Sequence, residues 1–172
     1  MNLTELLQRY QQGERDFNRV DLAGENLPKL DLSGADLGQA NLSEANLTEV
    51  NLSQANLKKA NLRKANLAGA ILSQTNLSEA NLIGANLIEA DLSQANLEQA
   101  NLTEANLGFA ILVEANLSMV NLCNAFLVGA NLTNSNLEYA VLHGAVLPDN
   151  RESMSNEFKQ VVDESQNLKL QQ

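Results

Sequence analysis

The sequence predicts an all-β solenoid, and three observations carry that prediction. Leu recurs at every fifth position from Leu22 to Leu147 without a break, and Phe17 extends the series one step earlier. A small residue, mostly Ala, stands two places before most of these leucines, with Asn or Asp between them, so the unit reads Ala-Asn-Leu-x-x. The chain of 172 residues is 44% hydrophobic yet only 3% aromatic, with no Trp. Such a core is built from uniform small and medium side chains rather than from the large aromatics that fill irregular interiors.

The period excludes both regular alternatives. At ~100° per residue a helix would scatter a residue recurring every fifth place around its axis. A continuous strand would send it to opposite faces in turn. The chain therefore turns once per unit. Ala and Leu, two apart in a short extended piece, point inward together, and the Asn between them points outward. The two x residues form the corner. Six of the nine glycines, at 24, 34, 69, 84, 129 and 144, fall on the second x, as a corner that admits positive φ predicts. Lys, Glu and Gln share that site, so the corner does not require Gly. Corners of ~90° would close a coil in four units, with coils stacked ~4.8 Å apart as parallel strands. Stacked Asn side chains would then hydrogen-bond as ladders along the rod.

The tandem Ala-Asn/Asp-Leu-x-x unit, unbroken over Arg15 to Asp149, resembles the pentapeptide-repeat family, whose members are abundant in cyanobacteria and other bacteria. The resemblance implies a right-handed quadrilateral parallel β-helix, with four units per coil and about 6–7 coils over this length. The four-sided section and the handedness come from the resemblance; periodicity alone gives a solenoid with Leu and Ala inside.

Three segments follow. Residues 1–14 form an N-terminal cap, because a solenoid end exposes core Leu and unpaired strand groups. Leu3, Leu6, Leu7 and Tyr10 have helical spacing, and Asn2 with Glu5 is placed as a capping box, which predicts a helix over 3–12. Residues 15–149 are the solenoid. Pro148 ends the repeats, and residues 150–172 form a tail in which Met154, Phe158, Val161 and Val162 have helical spacing.

The outward positions hold any function. Apolar residues replace the outward Asn at Ile71, Ile111, Phe126, Val141 and Val146. Phe109, Phe126, Val128 and Val146 fall on one side near the C-terminal end and make a candidate interface patch. It reads either as a seat for the 153–165 tail or as a homodimer contact. Lys58, Lys59, Arg63 and Lys64 form a basic belt on two adjoining sides of one coil. His143 and Cys123, the only His and the only Cys, stack one coil apart with no third group fixed between them. That pair makes neither a nucleophile–base site nor a four-ligand zinc site.

The formal charge is −10, which disfavours direct nucleic-acid or membrane binding. No stretch has the length of a membrane span or signal peptide, so the expected compartment is the cytoplasm. No cofactor and no metal are expected, and the chain is not read as an enzyme. The leading function is a structural or protein-interaction scaffold with an unidentified protein partner. The resemblance implies one alternative, a DNA mimic that binds a bacterial type II topoisomerase. An acidic rod ~30 Å long permits mimicry, whereas the basic belt and the uninterrupted repeats speak against it.

Overall fold

A computed structural model describes residues 1–148. The expected tail helix, with Met154, Phe158, Val161 and Val162, lies outside the described residues. Parallel β-bridges join residues twenty apart, from Asp16 with Asp36 to Phe126 with Val146. Twenty residues hold four five-residue units, so each coil has four sides. Each side is a single bridged residue between corners, too short for a named strand. In chain order the first side carries Phe17, Leu37 and on to Leu137. The second carries Leu22 to Leu142, the third Leu27 to Leu147 and the fourth Leu32 to Leu132.

The unit Asp36–Ala40 shows why the period is stable. Asp36 N–H donates to Arg15 O of the preceding coil at 2.7 Å. Leu37 and Gln39 donate to Asn56 O and Lys58 O of the following coil at 2.7 and 2.8 Å. Ala40 closes the turn on Leu37 O at 3.0 Å. The remaining N–H, that of Gly38, donates to the side-chain Oδ1 of Asp36 at 3.0 Å. All five donors are satisfied, as a chain without continuous strands requires.

The last of these bonds gives the outward Asn or Asp a second role beyond the ladder. Its Oδ1 forms an Asx turn with the residue two places on, at the first corner position. The bond recurs from Asn18 on Asp16 to Glu138 on Asn136. Ladder bonds run from Nδ2 of one coil to Oδ1 of the coil before, as in Asn41 to Asp21, Asn61 to Asn41 and Asn76 to Asn56. A carboxylate only accepts, so Asp suits the start of a ladder. Asp16, Asp21 and Asp31 stand at three of the four starts.

Every second corner residue from Arg19 to Gly144 has positive φ, including twenty that are not glycine. An L side chain held there costs about 1–2 kcal/mol and β-branched residues suffer most. No Val, Ile or Thr occupies the site, whereas Thr48, Ile83 and Val113 occur at the first corner position.

Inside, the leucines from Leu22 to Leu142 and nearly all of the Ala column are buried. Two polar substitutes in that column bond to carbonyls: Thr75 Oγ1 to Leu52 O at 2.7 Å and Ser135 Oγ to Leu132 O at 2.8 Å.

The N-terminal end is covered by helix α1 (Leu3–Gln11). Asn2 Oδ1 accepts the Glu5 N–H at 2.9 Å, while the Glu5 carboxylate faces Arg9 at 3.8 Å instead of closing the capping box. Leu6 is fully buried against the first coil. The Tyr10 hydroxyl donates to Ser33 O at 2.8 Å, a carbonyl that has no preceding coil to serve it. Both Phe17 and the Arg15 guanidinium pack near the Tyr10 ring, 6.3 Å between ring centroids and 3.8 Å from Cζ to the centroid.

Candidate functional site

Side chains at the second corner lean toward the next coil. A Cβ added at Gly69 would lie 3.3 Å from Glu49 Cγ, and one at Gly84 would lie 3.5 Å from Lys64 Cγ. The same lean sets the Phe109 ring over Gly129, where a Cβ would collide with it. Phe126 lies toward Gly108, its Cε1 3.7 Å from the place a Cβ would take. Gly129 thus provides the recess in which the Phe109 ring rests, while Phe126 lies at ordinary contact distance from the Gly108 position.

The four patch residues meet on one surface. Phe126, Val128 and Val146 share the third side, and Phe109 stands at its corner with the fourth. Phe109 is 63% exposed, Phe126 42% and Val146 48%, while Val128 is half-buried. Around the corner, exposed Ile111 and half-buried Val113 continue the apolar surface. An aliphatic or aromatic side chain at the Asn position cannot accept a hydrogen bond. The N–H groups of Ser73, Val113, Val128 and His143, which follow Ile71, Ile111, Phe126 and Val141, therefore lack the Asx acceptor found elsewhere. Pro148, which follows Val146, has no N–H to lose. The patch forgoes local hydrogen bonds and leaves large apolar groups in water.

A second exposed group joins Val141 to two residues the sequence reading left out, Met119 and Tyr139. Met119 and Tyr139 stack at the corner of the first and second sides, and Val141 follows on the second side. The five-residue register was enough to find it, since 119 and 139 are both second corner positions.

The basic belt is partly neutralised. Lys58 and Lys59 reach the two carboxylate oxygens of Glu79, one coil on, at 3.3 and 3.1 Å. The hydrogen bond from Lys59, joined by that from Lys58, holds the Glu79 carboxyl below the usual carboxylate range. Arg63 and Lys64 stand on the adjoining second side, with Lys64 lying along Gly84. On another corner Gln54, Gln74 and Gln94 form a ladder that ends on Glu114 at 2.8 Å.

Cys123 is half-buried and His143 exposed at successive positions of the second side. Their coils are joined by the backbone bond from Asn124 N to His143 O. Among the described residues no three His, Cys, Asp or Glu are grouped to hold a metal ion. No described helix is long and apolar enough to cross a membrane.

This repeat is matched by the family model of pentapeptide repeats in eight copies, over residues 16–54, 26–63, 60–99, 80–118 and 115–149. The chain belongs to the pentapeptide-repeat family. No curated protein sequence matches it. Among solved structures it is similar to HetL, a pentapeptide-repeat protein involved in heterocyst differentiation regulation in the cyanobacterium Nostoc. Identity is 31%, coverage 87% of this chain and 98% of that one, and the TM-score 0.36. It is also similar to Rfr23 of the cyanobacterium Cyanothece, at 34% identity, 85% and 99% coverage and a TM-score of 0.40. QnrB1, a plasmid-mediated fluoroquinolone resistance protein, matches at 18% identity, 76% and 68% coverage and a TM-score of 0.49.

Proposed function

We propose that this pentapeptide-repeat chain is a non-enzymatic scaffold, a right-handed quadrilateral β-helix of the cytoplasm whose C-terminal half docks a protein partner. The observation that carries this reading is the pair of outward aromatic rings, Phe109 seated over Gly129 and Phe126 beside Gly108. Replacing a ladder Asn by Phe forfeits an Asx turn and a ladder bond. The rod gains little in return, because the ring stays 42% exposed. Large apolar side chains grouped on a rigid surface are the composition of a binding hot spot.

The double substitution F109N/F126N tests the reading without endangering the fold. Asn returns position 126 to the ladder, and Asn already occupies the second corner at positive φ in Asn124 and Asn134. The tagged wild-type rod, used as bait in an extract of its source, should retain partners that the variant loses. Identical sets of captured proteins would sink the proposal.

DNA mimicry is the second reading, and one observation favours it: Glu79 pairs with two of the four belt residues, Lys58 and Lys59, and offsets one of the four positive charges. Arg63 and Lys64 still interrupt the acidic surface. A gyrase supercoiling assay separates the readings, because a mimic inhibits at micromolar protein with a steep salt dependence, and the scaffold leaves supercoiling unchanged.

A further inference from the structure

The charge of the rod is divided along its length. All seven basic residues of the described solenoid lie between Arg15 and Lys64, and no Lys or Arg occurs from Ala65 to Asn150. The apolar patch lies wholly in the basic-free half. Its neighbours by register are Glu89 and Asp91 on the N-terminal side, Glu104 at the corner before it and Glu114 at the corner after it. Asp91 Oδ1 accepts from Ser93, and Glu114 accepts from Gln94. Glu89 and Glu104 sit at exposed second corners. The patch is thus bordered by carboxylates on its N-terminal side and at the flanking corners of the Phe109 coil.

We infer that the occupant of this patch is a basic amphipathic segment of another protein, one that sets apolar side chains on Phe109, Phe126 and Val146 and Lys or Arg against the bordering carboxylates. The inference rests on the scaffold reading and adds the chemistry of the partner. Charge decides among the occupants. A second copy would bring the same acidic border against itself, and like charges in register oppose association. Residues 149–172 carry five acidic and three basic residues, so the tail of this chain is not complementary either. A cationic segment gains at the border what the other two lose, and its attraction raises the association rate. With coils ~4.8 Å apart, Phe109, Phe126 and Val146 span two coil spacings, about 10 Å along a side ~10 Å wide. That matches about two turns of a helix with apolar residues at i, i+3 and i+4.

The test is a random-peptide phage library panned on the full-length protein, followed by fluorescence anisotropy with the selected peptides. The expected peptides carry a net positive charge and spaced apolar residues. Each aromatic removed in F109N/F126N should weaken them by roughly tenfold or more. E89Q/E104Q should weaken them less and flatten their loss of affinity with added salt. Neutral or acidic peptides that F109N/F126N nevertheless loses would overturn the basic partner while leaving the scaffold reading intact. Peptides that F109N/F126N retains would overturn both. Light scattering that gives a wild-type dimer and an F109N/F126N monomer would assign the patch to a second copy. A gain in peptide affinity on M154E/F158E would assign it to the tail. Either result would overturn the inference.

Discussion

Asn56 is where the two roles of the outward column can be weighed. Its Oδ1 accepts the Lys58 N–H at 3.1 Å and Asn76 Nδ2 at 3.3 Å, while its own Nδ2 donates to Asp36 Oδ1 at 2.8 Å. Each neutral bond contributes about 0.5–1.5 kcal/mol net, and the bond to the carboxylate lies toward the upper end. Asn56→Ala should therefore cost about 2–4 kcal/mol. Asn56→Asp keeps both acceptor roles and loses the donor, while setting a second carboxylate beside Asp36. It should cost less than Ala and recover in high salt. Urea unfolding followed by far-UV circular dichroism measures both, with an unchanged m-value as the check that the transition is still the same one. Combining Asn56→Ala with Asn76→Ala isolates the bond between them, with an expected coupling of about 0.5–1.5 kcal/mol. A loss below about 0.5 kcal/mol in Asn56→Ala would refute the reasoning, because the ladder and the Asx turn would then contribute nothing to stability.

The corner, the cap and the acid response give three further tests. Gln99 has φ of 59°, so Gln99→Gly, which relieves the strain of about 1–2 kcal/mol that an L side chain bears there, should be neutral or stabilising after its entropy cost. Gln99→Val should destabilise because β-branching adds to the strain; equal unfolding midpoints for the two would contradict a strained corner. Leu6→Ala should cost about 2–5 kcal/mol, and Tyr10→Phe, which frees Ser33 O, about 0.5–1.5 kcal/mol; both are read from thermal unfolding and from aggregation on storage. The Asp16 carboxyl is held low by hydrogen bonds from the Asn18 side chain and backbone, and that of Asp31 by bonds from Ser33. A depressed folded pKa gives stability that is present above the unfolded value near 3.9 and is lost as pH falls through the lower folded value. The first coil should therefore loosen below about pH 4, with amide exchange quickening there before it does in the central coils, and uniform exchange would count against it.

Much of the fold was legible because a five-residue period admits so few backbones. The unbroken Leu series placed the core, the six glycines marked the positive-φ corner, and the spacing of Leu3, Leu6, Leu7 and Tyr10 placed the cap. The ladder was foreseen, but the Asx turn was not, since it depends on which of two outward groups lies nearest the Asn oxygen. The patch residues could be placed on one side by counting, whereas their posture could not. Phe109 leans over Gly129 because a positive-φ corner directs its side chain toward the next coil, a direction that residue spacing does not encode. Counting also placed Lys58 and Lys59 in a belt, but only the distance across one coil shows that Glu79 takes both.

Four amides test the central claim, that outward apolar residues give up local hydrogen bonds in order to bind. In the free rod Ser73, Val113, Val128 and His143 should exchange their N–H with solvent faster than the first corner residues that follow Asn or Asp, such as Ser78 and Cys123. When the partner is bound, residue-resolved exchange by NMR should show Val113 and Val128 slowed, with Ser73 and His143 still fast. Unchanged exchange at Val113 and Val128, or equal slowing at all four, would contradict the account.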